Sequence, residues 1–263
     1  YEPKLQLDYV GPPSLGVATS PFGIGLSGAI ALYFGDMLGD RVVGGAVQAQ
    51  GSLKDIGGEV FYLNQKHRWK WLVSASHISF LSGSAVGFDT LIGGSVFDVI
   101  ESRLQREFYD EIGGSIQYPF SQTRRFELGA SATHVSYDVE VERFFFDPFQ
   151  QVGEERVSGE APPSANYGQM SAALVGDYSI FGLTSPVAGG RWRVEVSPVF
   201  GDLNFQSFLA DWRRYFYARP VTFAFRALHF GRYGRDADSD RISPLFVGFE
   251  QLVRGYAPES FDG

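Results

Sequence analysis

Two residues of the sequence have types and a spacing that could support nucleophilic chemistry. His134 and Ser136 stand two positions apart, so on a β-strand their side chains would share one face. A lipase on the outer face of a membrane barrel would need such a pair together with an amide that orients the histidine. A histidine on an ordinary strand produces the same spacing without any chemistry. The pair alone therefore does not predict an enzyme.

Other catalytic and binding signatures are missing from the sequence. The histidines do not form an H-E-x-x-H motif, and neither a G-x-x-x-x-G-K phosphate loop nor a G-x-S-x-G elbow occurs. Asp36 and Asp40 flank a turn, where a solvated turn is a more common explanation than a calcium pair. We therefore expect a non-enzymatic protein with no cofactor, no metal and no catalytic residue.

The composition limits the classes of protein to which the chain can belong. The 263 residues include 32 glycines, no cysteine and 16% aromatic residues, and the net charge is −8. The negative charge argues against a nucleic-acid surface, and without cysteine there is neither a disulfide nor a thiolate metal site. No apolar run approaches the roughly 18–20 residues of a spanning helix. Glycine and aromatic residues in period-two alternation are instead typical of membrane β-barrels.

Period-two alternation over 22–34 gives the clearest strand signal. This segment is longer than the ~5–6 residues of an ordinary strand and long enough for the ~9–11 residues of a tilted spanning strand. The same reasoning predicts eleven strands, at 22–34, 41–50, 57–64, 69–81, 107–120, 125–143, 167–181, 191–200, 205–217, 221–231 and 242–253. A change of phase near Thr133 predicts a β-bulge in the sixth strand. Residues 82–104 and 144–164 are predicted to be long loops.

The predicted eleventh strand runs into the sequence V-R-G-Y, formed by Val253, Arg254, Gly255 and Tyr256. This tetrapeptide resembles the V-R-G-F/Y signature of the BamA/TamA-like superfamily of outer-membrane barrels, also called the bacterial surface antigen family. In that family the signature lies in a loop that folds back into a sixteen-stranded barrel, between strands eleven and twelve. The resemblance implies an all-β, antiparallel transmembrane β-barrel, of which this chain would supply about eleven strands.

The resemblance also implies how the chain is divided. Residues 1–21 would be a lead-in or linker with one short strand at 4–10, residues 22–254 a partial barrel, and residues 255–263 the start of the in-folding loop. Five further strands are expected beyond Gly263, so the barrel would be truncated, with open edges on its first and eleventh strands. Two stretches, 34–40 and 211–215, are similar to parts of members that carry a periplasmic propeller before the barrel.

Candidate functional residues follow from the same resemblance. Arg254 would reach into the lumen and pair with carboxylates. Charged residues on the last predicted strands would face the lumen and pair across neighbouring strands, namely Asp211, Arg213, Arg226 and Glu250. Glycines in the first strand would weaken its packing and suit a seam that opens for a client strand, namely Gly23, Gly25 and Gly28.

The function implied by the resemblance is protein insertion or translocation at the bacterial outer membrane. The partners would be outer-membrane lipid, client outer-membrane or secreted proteins, and periplasmic domains or accessory proteins, without nucleic acid. Two alternatives remain open. A porin-like solute channel would share the barrel fold, whereas a soluble β-sandwich binding module would stack two sheets around a dry apolar interior.

Overall fold

The protein is described by a computed structural model over residues 4–20, 23–50, 53–92, 95–147, 150–239, 241–242 and 245. In this part of the chain the fold is all-β, with a single 3-10 turn at Leu53–Asp55, and no helix is long and apolar enough to cross a membrane. The strands are β1 Gln6–Val10, β2 Ser14–Ser20, β3 Gly23–Gly35, β4 Arg41–Gln50, β5 Ile56–Asn64, β6 Lys70–Ile92, β7 Ser95–Pro119, β8 Arg124–Asp147, β9 Gln150–Ser158, β10 Ala165–Asp177, β11 Ile180–Phe181, β12 Pro186–Gly201, β13 Phe205–Ala218 and β14 Val221–Tyr233.

The fourteen strands form a single antiparallel sheet, which is not closed within the described residues. Its order follows the chain as β1, β3, β4, β5, β6, β7, β8, β10, β12, β13 and β14, while β2 pairs with β3, β9 with β8 and β11 with β12. The sandwich alternative predicts two stacked sheets, and the described residues form one sheet. The chain divides into two compact units: the first unit comprises Tyr1–Tyr118 and Leu128–Gly168, and the second Pro119–Glu127 and Gln169–Gly263.

Ten of the eleven predicted strands are confirmed in position, as β3 to β8, β10 and β12 to β14. The agreement is closest for β4, whose bounds match the predicted 41–50. The eleventh predicted strand, 242–253, lies outside the described residues except for 242 and 245, which are not in a strand.

Both predicted long loops are wrong, because each contains paired strand. Residues 82–92 extend β6 and residues 95–104 begin β7, with an unbroken register from Lys70 opposite Gln117 to Ile92 opposite Ser95. Within 144–164, β8 continues to Asp147 and β9 folds back on it. Residues 81–89 are exposed on both faces of the strand, so their sequence carries no alternation of apolar and polar side chains.

The segment interpreted as a lead-in carries two strands that cover one side of β3. The first, β1, lies opposite Leu32–Gly35, and β2 lies opposite Gly23–Ala29. Pro12 and Pro13 lie between them and have no N–H to donate to a ladder. Together β1 and β2 fill one position in the sheet, so the described residues form eleven positions. The short strand predicted at 4–10 corresponds to β1, whereas β2 was not predicted.

Along β8 the less exposed face of the strand stays the same, but the side chains on that face change from polar to apolar. The buried residues Thr133, Val135, Val139 and Val141 are all at odd positions, as is the half-buried Glu127. Even positions remain the more exposed from Leu128 to His134. A bulge is therefore not required at Thr133, since the less exposed face stays the same and simply becomes apolar. Val99 and Leu104 of β7 are also buried in the first unit.

Candidate functional site

Three of the predicted lumen charges come together on one face of the second unit. Arg213 Nη2 donates to Asp211 Oδ2 at 2.6 Å, and Arg226 Nη2 donates to the same oxygen at 3.0 Å. Arg213 and Arg226 are directly opposite each other on β13 and β14. Like charges in that position repel, and the shared carboxylate offsets the repulsion. The fourth predicted residue, Glu250, lies outside the described residues.

A second charged cluster on the same face was not predicted. Arg193 lies directly opposite Asp211 in the register of β12 and β13. It donates to Glu127 Oε2 at 2.7 Å and to Glu195 Oε2 at 2.6 Å. Arg193 and Glu195 alternate with apolar residues on β12, and this alternation is the feature of the sequence that could have identified them. We call the surface formed by Glu127, Arg193, Glu195, Asp211, Arg213 and Arg226 the charged face of the second unit.

The other face of the second unit is apolar and open. Trp192 lies directly opposite Trp212, and Val194 lies opposite Ala210. Trp212 is 45% exposed and Phe225, on the adjacent strand, is 55% exposed. Alternate residues of β12 to β14 therefore divide into a charged face and an exposed apolar one. Water-soluble monomers rarely expose a continuous apolar surface of this kind.

The first unit also has an exposed apolar face. Ile30 lies opposite Val47 across β3 and β4, and Val60 of β5 lies opposite Ala75, which in turn lies opposite Ile112 of β7. These large side chains are between 43% and 67% exposed. We call this surface the apolar face of the first unit. It consists of the residues of these strands that lie on the same side of the sheet as Ile30, Val47, Val60, Val73 and Ile112.

This apolar face ends at aromatic rings on one side. Trp69 packs on Tyr118 with a centroid separation of 4.6 Å, and Tyr62 packs on Trp71 with a separation of 5.2 Å. Both pairs lie beside the turn that joins β5 to β6. Aromatic rings with a polar tip, or with an indole N–H, suit the boundary between hydrocarbon and water.

Polar pairs end the apolar face on its other side. His77 lies opposite Asp110, with Nδ1 2.6 Å from Oδ1, and His134 Nδ1 lies 2.8 Å from Asn166 Oδ1. From Trp69 to His77 the chain has nine residues. This length falls within the about 9–11 residues of a tilted strand that crosses a bilayer.

Beyond the polar pairs, a salt-bridge cluster ties the turn after β4 to β7 and β8. Arg106 donates to Asp55 Oδ1 at 2.9 Å and to Glu140 Oε2 at 2.6 Å. Lys54 binds Asp138 at 3.2 Å and also contacts Glu140. The hydrogen bond to Glu140, followed by the one to Asp138, raises the pKa of Lys54 above its ordinary value. The cluster therefore pairs three carboxylates with two cations, and its centre, Arg106 with Asp55, is buried.

The candidate seam glycines lie in β3, but this strand is not an edge of the sheet. Gly23, Gly25 and Gly28 lie opposite Ser20, Ala18 and Leu15 of β2. A Cβ at Gly28 would meet Leu15 Cδ2 at 3.3 Å, so the two strands approach closely. The expectation of an open edge on β3 is therefore corrected, because β1 and β2 occupy that side.

The remaining predictions concern the loop signature, the turn that contains Asp36, and metal binding. The loop signature, Val253 to Tyr256, lies outside the described residues. Asp36 accepts a hydrogen bond from the backbone N–H of Arg41 at 3.1 Å and so closes the turn between β3 and β4. Among the residues that the structure describes, no group of three or more histidine, aspartate or glutamate side chains could hold a metal ion.

Comparison of the chain with protein-family models, with curated proteins and with solved structures finds no match. The resemblance to the BamA/TamA-like superfamily therefore continues to depend on the V-R-G-Y segment and on the number of strand positions before it.

Proposed function

We propose that this chain is part of an outer-membrane β-barrel of the protein insertion or translocation type. The observation that carries the membrane placement is the apolar face of the first unit. It is exposed, about nine residues high, and bounded by aromatic rings on one side and polar pairs on the other. The charged face of the second unit supports a polar lumen, as barrels alternate between lipid-facing and lumen-facing residues.

Two features support protein insertion rather than solute transport within this proposal. The V-R-G-Y segment resembles the family signature, and ten of the eleven strands predicted before it lie in the described sheet, next to a further position filled by β1 and β2. In the proposed mechanism the first and last strands of the complete barrel pair weakly, and a client strand is templated at that seam. The seam then falls on β1 and β2 rather than on β3. Pro12 and Pro13 interrupt this position and remove two donors, which weakens its pairing.

Spin-label accessibility tests the membrane placement directly. The chain has no cysteine, so single cysteines at Val73, Ser74, Ala75 and Ser76 can be labelled without background. In lipid vesicles, labels at 73 and 75 should be accessible to oxygen, and labels at 74 and 76 to a water-soluble nickel chelate. A soluble sandwich would instead leave the protein monomeric without detergent, and accessibility to oxygen and to the nickel chelate would then rise and fall at the same positions.

Client insertion separates the assembly function from a porin. Vesicles containing the complete protein should accelerate insertion of a denatured outer-membrane protein, and Arg254→Ala should abolish the acceleration. Arg235→Ala is the matched control, because Arg235 is a turn arginine that is 74% exposed and pairs with its neighbour Asp236. A protein that conducts ions equally well with either substitution and never accelerates insertion would be a channel.

A further inference from the structure

A histidine and an asparagine on adjacent strands form a polar pair to which the proposed assembly function assigns no chemistry. His134 of β8 and Asn166 of β10 are both exposed, and His134 Nδ1 lies 2.8 Å from Asn166 Oδ1. An amide oxygen can only accept a hydrogen bond, so in the neutral imidazole this contact requires the tautomer with the proton on Nδ1. The other ring nitrogen, Nε2, therefore has its lone pair available as a base.

A serine lies on the same face of the same strand. Ser136 follows His134 by two residues, which separates their Cα atoms by about 7 Å along a strand. An imidazole and a hydroxymethyl group that project from such neighbouring positions can reach each other by side-chain rotation. A nucleophile, a base and a group that orients the base are the three parts of a hydrolytic triad.

We propose that Ser136, His134 and Asn166 form a serine-hydrolase site on this exposed face, which cleaves carboxylic esters. Ser136 is the nucleophile, His134 is the general base, and Asn166 is a positioning residue that fixes the tautomer and direction of the imidazole. Nothing in this assignment requires a metal or a cofactor.

The surroundings of the triad select the class of ester. On β8, Leu128, Ala130 and Ala132 continue the same face on one side of His134, and all three are exposed and apolar. On the other side Asp138 and Glu140 belong to the salt-bridge cluster with Lys54. A substrate with a long acyl chain and a polar head group fits this gradient. That choice of a lipid ester depends on the proposed membrane placement, whereas the hydrolytic chemistry does not.

The reaction balances with water as the only co-substrate. Ser136 Oγ attacks the carbonyl carbon while its proton moves to His134 Nε2. The bond between the carbonyl carbon and the alcohol oxygen then breaks, and the leaving alcohol takes the proton from Nε2. Water attacks the acyl-serine, again losing a proton to Nε2, and the carboxylic acid leaves as the proton returns to Ser136.

A second histidine and serine with the same spacing provide a matched control. His77 is oriented by Asp110, and Ser79 follows it by two residues on β6. However, the His77 ring is stacked on Phe108, with an interplanar angle of 15°, and Phe108 lies directly opposite Ser79. Stacking on Phe108, in addition to the contact with Asp110, therefore fixes the His77 imidazole over β7.

The test uses a fluorophosphonate probe and p-nitrophenyl butyrate on the detergent-solubilised full-length protein. Mass spectrometry should locate the probe on Ser136, and Ser136→Ala should abolish both labelling and hydrolysis. His134→Ala should slow hydrolysis by about 100-fold or more, the range for loss of a general base. Asn166→Ala should lower kcat by at least about tenfold with KM unchanged, and Asn166→Asp should restore it, since loss of the residue that orients a triad histidine can cost up to about 10⁴-fold.

Ser79→Ala should leave both readouts at the wild-type level, and heat-modifiable migration on a gel shows that each variant is folded. Wild-type protein that is not labelled at Ser136, or a Ser136→Ala variant that hydrolyses the ester as fast as wild type, would overturn the proposal. Either result would leave the spin-label pattern unchanged, so failure of the triad is distinguishable from failure of the membrane placement.

Discussion

Arg106 and Asp55 form an ion pair in which the guanidinium donates to the carboxylate across 2.9 Å, although only 7% and 4% of the two side chains are exposed. The residues are 51 positions apart in the chain. Asp55 ends the 3-10 turn after β4, whereas Arg106 lies within β7. This single contact therefore attaches a turn to the middle of a long hairpin.

Removal of the Arg106 charge should destabilise the protein more than any surface charge does. In Arg106→Met the Asp55 carboxylate stays buried without this guanidinium, and breaking a buried pair in this way costs about 3–5 kcal/mol. Urea unfolding in lipid vesicles, followed by tryptophan fluorescence, measures the loss. Arg235→Met serves as control, because Arg235 is 74% exposed and surface changes stay within about 0.5 kcal/mol. Equal effects of the two substitutions would contradict the assignment.

Asp211 should contribute more to stability than either of the arginines that it binds. In Asp211→Asn the guanidiniums of Arg213 and Arg226 remain directly opposite each other without the carboxylate between them. We expect the free energy of unfolding to fall by about 1–3 kcal/mol, the cost of removing one partner from charged, partly buried hydrogen bonds. Combining Asp211→Asn with Arg226→Gln should recover part of the loss, because one of the two repelling charges is then gone. A double variant less stable than Asp211→Asn would show that repulsion is not the cause.

The strands that were predicted correctly are those with one exposed apolar face. β4 alternates Val43 and Val47 with Gly44 and Gln48, and this period of two fixes its length and its faces. Residues 81–89 of β6 lack this signal, because both faces of the strand are exposed there. β1 was expected as one short strand and β2 was missed, since Pro12 and Pro13 break the alternation.

Cross-strand partners could be predicted only where strands adjacent in the chain are also adjacent in the sheet. Asp211 and Arg226 met this condition, because β13 and β14 form a hairpin. Asn166 did not, because β9 separates β8 from β10 in the chain while β10 follows β8 in the sheet order. The contact of Lys54 with Asp138 spans 84 residues, and nothing in either local sequence indicates the other.

An arginine placed on the apolar face should be far less tolerated than one on the neighbouring position. Val73 lies midway between Trp69 and His77 on this face, and Ser74 points to the other side of β6. A charge in contact with lipid at mid-depth costs about 2–4 kcal/mol, so Val73→Arg should lower the free energy of unfolding in vesicles by that amount. Ser74→Arg is the control and should cost distinctly less. If both substitutions are tolerated equally, β6 does not face lipid at this level.

Two adjacent glycines of β4 should respond oppositely to an added methyl group. A Cβ at Gly44 would lie 2.3 Å from Phe61 Cε1, whereas the nearest atom to a Cβ at Gly45 is Glu59 O at 3.5 Å. Gly44→Ala must displace the Phe61 ring and should lower the free energy of unfolding by about 1–3 kcal/mol. Gly45→Ala should be neutral or stabilising by up to about 1 kcal/mol, because alanine loses less conformational entropy on folding. The comparison uses the same urea titration, and a neutral Gly44→Ala would mean that Phe61 does not occupy this space.

The turn after β14 should make stability fall in acid. The hydrogen bond from Arg235 and the one from the backbone N–H of Asn204, at 2.7 Å, lower the pKa of Asp236 below its ordinary value. A carboxyl group whose pKa is lower in the folded than in the unfolded state stabilises the fold above the unfolded value, near 3.8. The contribution is lost as the pH falls through the folded value, and Asp236→Asn should remove this part of the pH dependence. Urea midpoints of wild type and variant between pH 7 and about pH 2 measure it, and parallel curves would show that Asp236 does not hold Asn204 in this way.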